Sequence, residues 1–200
     1  LAAACGDNLG DGDAPDQLPS IAEIPAFADL NPDPKILEVT LAARTAQVEL
    51  VPGHQTSVFA FNGTIPAPLL HARVGDRIIV HFTNELAEPT TIHWHGLRIS
   101  DRMDGTPMVQ SPIQPGAAFT YDFVVPDAGT FWFHPHLNTV EQIDRGLYGA
   151  IVVAEEHAPT FSAERVFMID DIRLDESFQI APYELGGPDF VFGRTGTHLL

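Results

Sequence analysis

Thr91-Ile92-His93-Trp94-His95-Gly96 and, further on, Phe131-Trp132-Phe133-His134-Pro135-His136 are the stretches on which the reading of this chain turns. Side chains alternate across a β-strand, so each His-x-His pair sets two imidazoles on one face, about 6.5–7 Å apart along the backbone. In the first stretch Thr91, His93 and His95 share a face, and Ile92 and Trp94 take the other. In the second, Phe131 and Phe133 lie opposite Trp132 and His134. Each pair therefore has an apolar side that can enter a core and a histidine side aimed outward. Pro135 has no N–H to give to a ladder, so its strand ends or lies at an edge there, which puts His136 at a rim.

Outward from these stretches the chain reads as short β-branched and aromatic runs. Strands are expected near 36–43, 45–51, 56–61, 69–74, 76–83, 90–95, 117–125, 129–134 and 147–154. Turn signals separate them at Pro52-Gly53, Asn62-Gly63, Val74-Gly75-Asp76, Pro115-Gly116 and Asp127-Ala128-Gly129. Long 3.6-residue periodicity is missing, and the best helical candidate is a turn or two at 138–145. The pattern is that of an all-β sandwich.

The 200 residues suffice for one solid core or slightly more. Ten Lys+Arg against 27 Asp+Glu leave a formal charge of −17, which repels phosphate backbones and argues against nucleic-acid partners. The same charge is compatible with metal cations, and equally with a soluble surface. No apolar run approaches a membrane span. Cys5 is the only cysteine, which excludes a disulfide framework and a cysteine-based zinc site.

Residues 1–34 are expected to be a leader and an acidic, Pro-rich tether or surface-hugging extension; 35–157 form the principal domain. The pattern restarts in 158–200, with a strand over Arg165–Asp170, as the opening of an incomplete second domain. Leu1-Ala2-Ala3-Ala4-Cys5-Gly6 resembles the end of a bacterial lipoprotein signal, with Cys5 as the lipidation candidate. Export to the periplasm or cell envelope is therefore expected, with membrane contact only through that anchor.

A lone His-x-His is most simply two half-exposed strand histidines. Two such pairs, each closing a strand with aromatic packing behind it, point to metal. Buried imidazoles without metal each need a hydrogen-bond partner or cost on the order of 1–3 kcal/mol, and coordination at about 2 Å supplies one. Imidazole suits zinc, copper, iron and nickel alike.

From Asn62 to Glu155 the chain resembles the first cupredoxin domain of multicopper oxidases, the family of laccases, bilirubin oxidases and bacterial cuprous oxidases. The segments that carry the resemblance are Phe61-Asn62-Gly63-Thr64-Ile65-Pro66-Ala67-Pro68, Val74-Gly75-Asp76, His93-Trp94-His95-Gly96-Leu97, Met103-Asp104-Gly105, Ile113-Gln114-Pro115-Gly116, Gly129 to His136, and Gly146-Leu147-Tyr148-Gly149-Ala150. The resemblance implies a cupredoxin-like Greek-key β-sandwich, with 158–200 beginning a second cupredoxin domain.

It also implies that the four histidines supply half of a trinuclear copper cluster that reduces dioxygen. His93 would bind the type 2 copper, His95 and His134 one type 3 copper, and His136 the other. Asp104 falls where bacterial members carry an acid that delivers protons to oxygen; it also reads as a plain turn residue in Asp104-Gly105. The family's type 1 copper needs a cysteine and two histidines, which nothing after Cys5 provides. That departure makes these residues an N-terminal part of an oxidase, inactive alone and completed by C-terminal cupredoxin domains. It also argues against two-domain nitrite reductases, whose first domain carries the type 1 site. The reductant would be a small phenol or a metal ion. A copper-free envelope scaffold and a stand-alone four-histidine copper module are the competing readings. His54, His71, His81, His157 and His198 lie outside the motifs and read as surface or strand residues, and Tyr121, Tyr148 and Tyr183 as packing residues.

Overall fold

Alternating β-branched and aromatic residues build two four-stranded sheets that share one apolar interior. The computed structural model describes residues 23–157, 159–160, 162–183 and 195–200. One sheet contains β1 (Ile36–Val51), β2 (His54–Phe61), β4 (Arg77–Asn84) and β6 (Ala118–Val124), in the order β2-β1-β4-β6. The other contains β3 (Leu70–Arg73), β5 (His93–His95), β7 (Gly129–His134) and β8 (Gly149–Ala154), in the order β3-β8-β7-β5. From β2 to β7 every connection crosses from one sheet to the other, so neighbours in sequence face each other across the core. A short helix, α1 (Thr139–Asp144), sits between β7 and β8. The arrangement is the expected all-β sandwich, and its sheets are mixed parallel and antiparallel.

Large side chains from both sheets meet in the middle. Phe61, Phe82 and Tyr121 come from one sheet, Trp94, Phe133 and Ile151 from the other, and all are buried. Burying a side chain of this size contributes about 1.5–3 kcal/mol. Phe61 and Phe133 approach across the interface at 5.5 Å between centroids.

Three expectations need correction. The strands expected at 36–43 and 45–51 are one strand, β1, which changes partner rather than ending. Ile36–Ala43 pairs parallel with β4, and Ala43–Val51 pairs antiparallel with β2. The strand expected at 90–95 starts only at His93. Ahead of it, the Ile92 N–H donates to the Tyr121 hydroxyl (2.8 Å) instead of to a strand, and Thr90 makes an isolated bridge to Ile113. The strand expected over 165–170 is absent. Among the described residues that stretch has no ladder partners, and pairing begins at β9 (Asp171–Ile172) against β10 (His198–Leu199).

The described part of the N-terminal stretch hugs the sandwich. Ala26 bridges Leu69, and Phe27 packs on the core. Downstream, Ile172, Leu174 and Ile180 cover Val58 and Ala60 of β2. Cys5 lies outside the described residues, as does the stretch from Phe190 to Arg194.

Candidate metal centre

The site forms at the edge of the second sheet, where β5 is the outermost strand and, among the described residues, pairs with β7 alone. The register sets His93 opposite His134, Trp94 opposite Phe133 and His95 opposite Trp132. Trp94 and Phe133 are fully buried, with Trp94 against Tyr121 (5.4 Å) and Phe123 (5.0 Å). Strand alternation then forces His93, His95 and His134 onto the opposite face together. The core anchors one side of the β5–β7 pair, and that anchorage aims the histidines. Gly149 allows the approach: a Cβ there would fall 2.4 Å from the Phe133 ring.

The rings converge. His93 lies 5.3 Å from His95, 5.3 Å from His134 and 4.8 Å from His136, centroid to centroid. One ligand atom from each of His93, His95 and His134 falls within 4.8 Å of the others. His136 stands beside this trio, exposed at the rim past Pro135, with its ring 6.4 Å from His134. His134 departs from the expectation that both pairs face outward. It is 4 % exposed and stacked on Trp132 at 4.0 Å.

Neighbouring acceptors settle which ring nitrogens are free. His134 Nδ1 donates to the Pro135 carbonyl (2.8 Å), leaving Nε2 as the unprotonated nitrogen, turned toward His95 Nδ1. His93 Nδ1 donates to the Asp104 carbonyl (3.1 Å), leaving its Nε2 unprotonated as well. Such carbonyl acceptors orient metal-binding imidazoles. Burial, and then the neighbouring imidazoles His93, His95 and His136, push the His134 pKa down to about 4, against the hydrogen bond to Pro135. His136 is lowered too, first by the partial desolvation of its ring and second by His93. Both rings are therefore neutral at physiological pH, the form that binds metal.

The donor set fits a metal ion. His95 Nδ1 and His134 Nε2 are 3.2 Å apart. Metal–nitrogen bonds of about 2 Å would let one ion reach both nitrogens across that gap. Asp104 is held against the site. Its Oδ1 lies 3.0 Å from His93 Nδ1 but off the N–H direction, and it is buried with no hydrogen bond. Gly105 makes that approach possible: with φ +70, its absent Cβ would sit 2.0 Å from the Ile92 carbonyl oxygen.

Residues 42–158 match the family model described as multicopper oxidase. The chain belongs to the multicopper oxidase family. It is 42 % identical over 138 residues to the multicopper oxidase MmcO of Mycobacterium tuberculosis, covering 68 % of this chain and 27 % of that one. It is 37 % identical over 134 residues to laccase-1 of Cryptococcus neoformans var. grubii, covering 62 % of this chain and 21 % of that one. Among solved structures, a multicopper oxidase from Campylobacter jejuni, titled a metallo-oxidase, superposes with TM-score 0.81 at 34 % identity, over 90 % of this chain and 38 % of that one. One from Pseudomonas thermotolerans gives TM-score 0.77 at 39 % identity, over 82 % and 40 %. The chain thus spans about a quarter of its curated multicopper oxidase relatives and two fifths of the solved ones.

For this multicopper oxidase chain the structure brings together all four predicted histidines and Asp104. The remaining histidines stay apart, as expected. His81, for example, pairs with Glu38 at 2.7 Å on the opposite sheet. Sequence reasoning missed the polar residues behind the site. Tyr121, taken for packing, is a buried acceptor for the N–H of Ile92 and for Gln110 (3.0 Å). Gln142, inside the predicted helical turn, is fully buried. Its partners lie 52–54 residues away, so no local pattern reveals them.

Proposed function

We propose that this chain is the N-terminal part of a copper-dependent oxidase that couples one-electron oxidation of phenols or metal ions to reduction of O2 to water. The observation that carries the reading is the 3.2 Å gap between His95 Nδ1 and His134 Nε2, two imidazole nitrogens converging on one point. His95 and His134 would hold one type 3 copper, His136 the other, and His93 the type 2 copper. Copper bound there supplies one-electron redox chemistry and open positions for oxygen.

The chain's own residues do the rest. The carbonyls of Pro135 and Asp104 hold the His134 and His93 rings with Nε2 forward. Trp132, stacked on His134 at 4.0 Å and 5.1 Å from His95, packs against that side of both rings. Asp104 keeps a carboxylate oxygen buried and unbonded beside His93, where it can accept a proton and pass it on. Export, a lipid anchor on Cys5, and a second cupredoxin domain begun by 158–200 complete the proposal.

The test is a longer chain carried through the downstream coding sequence, loaded with copper and supplied with a phenol or cuprous ion. Oxygen uptake at four substrate electrons per O2, lost in His95→Ala, is the expected result. A well-folded, copper-loaded protein without uptake on either substrate class overturns it. Failure to take up any copper would favour the scaffold reading.

A further inference from the structure

The β5–β7 ladder fixes His93, His95 and His134, but it stops at His134. His136 lies two residues further on, past a proline, with no ladder partner of its own. Besides the His134 bond to the Pro135 carbonyl, hydrogen bonds to the residues just ahead of β5 hold its segment. The His136 N–H donates to Thr91 Oγ1 (3.1 Å), on a residue that is fully buried just ahead of β5. Beyond it, Gln142 of α1 reaches back to the same lead-in. It accepts from Thr90 Oγ1 (2.7 Å) and donates to Glu88 Oε1 (2.6 Å) and to the Pro89 carbonyl (3.1 Å). A helix of six residues has little stability of its own, so its place depends on such bonds: the Phe59 N–H to the Arg145 carbonyl (2.9 Å) ties its end to β2, and the Gln142 bonds tie it to the lead-in of β5.

We infer that Thr91 and Gln142 are positioning residues. They tie the segment after the second histidine pair to the segment before the first, and so place the fourth imidazole against a trio the ladder has already formed. The role of these residues toward copper rests on the function proposed above, whereas their hold on the His136 backbone does not.

The experiment uses the 200-residue chain. Amide hydrogen exchange is followed without metal, and copper(II) binding is followed by electron paramagnetic resonance. Thr91→Val and Gln142→Met keep size and remove the bonds. Each is expected to speed exchange at the His136 amide about tenfold while the β5–β7 ladder amides keep wild-type protection. In both, the copper spectrum should move toward that of His136→Ala and the dissociation constant rise about tenfold. Thr91→Ser, which keeps the hydroxyl, should restore both. Ile78→Val, a buried change in the other sheet, should lower Tm and leave the spectrum alone. Wild-type exchange in both variants, or the same spectral change in Ile78→Val, overturns the inference. If the wild-type chain gives no copper signal that His95→Ala abolishes, the copper reading fails, and the exchange rates still decide whether Thr91 and Gln142 hold His136.

Discussion

Replacing Tyr121 with phenylalanine separates packing from hydrogen bonding behind the metal centre. The ring contacts, to Trp94 at 5.4 Å, Phe119 at 4.7 Å and Phe82 at 6.4 Å, survive the change because the ring does. What is lost is the hydroxyl, which accepts from the Ile92 N–H at 2.8 Å and bonds Gln110 at 3.0 Å, with Tyr121 fully buried. Each buried group left unpaired costs about 1–3 kcal/mol, so Tyr121→Phe should destabilise by roughly 2–4 kcal/mol. In a domain of this size that lowers Tm by about 5–15 °C. Urea unfolding followed by tryptophan fluorescence gives the free energy, and an unchanged m-value confirms that only stability moved. Because Ile92 leads directly into His93, copper affinity should weaken alongside. A loss below about 0.5 kcal/mol would refute the reasoning and return Tyr121 to a packing role.

Acid should destabilise the metal-free protein through His134, whose folded pKa of about 4 lies below the value near 6.5 of an unfolded histidine. Between those values the unfolded chain binds more protons, so stability is complete above about pH 6.5 and falls as pH drops toward 4, at up to about 1.4 kcal/mol per unit. The stability gap between wild type and His134→Gln, from urea curves at pH 7 and 4.5, should therefore shift toward the variant on the order of 2 kcal/mol; a constant gap contradicts the burial argument. In Gly105→Ala the new Cβ must clear the Ile92 carbonyl from 2.0 Å, which forces the Asp104 loop off β5. A loss of about 2 kcal/mol or more is expected, with changed ring-nitrogen shifts for His93 in NMR, and near-neutrality would show the loop to be slack. At alkaline pH, Tyr121 is pushed up to about 12, by burial above all, and Tyr148 is raised further by burial and then Asp170. Ultraviolet titration of the folded protein at pH 11 should find both still protonated, and full tyrosinate absorbance would exclude that.

The sandwich and its site were legible wherever chemistry is written locally. Alternation around Trp94 and Phe133 announced which face each histidine takes, and Pro135 announced where β7 stops. Glycine-bearing turns marked the strand ends, and positive φ at Gly53, Gly63, Gly75 and Gly116 is why those turns needed glycine. What stayed hidden depends on partners distant in sequence. β1 looked like two strands because its neighbour changes at Ala43, a fact about β2 and β4 rather than about β1. Residues 165–170 carry strand-like composition, yet among the described residues they join no ladder; Arg165, Val166 and Phe167 instead line a pocket with Leu69 and His71 at the β3 edge. Thr91, Tyr121 and Gln142 read as ordinary strand, packing and helix residues, since the bonds that link them to or from residues 88–92 reach across 29 to 54 positions.

A crystal of the chain soaked in copper and measured above the copper absorption edge addresses the central claim in one step. The account expects an anomalous peak about 2 Å from both His95 Nδ1 and His134 Nε2, with His93 and His136 facing it or a second peak nearby. Anomalous density only at surface carboxylates, with the β5–β7 edge empty, would contradict it.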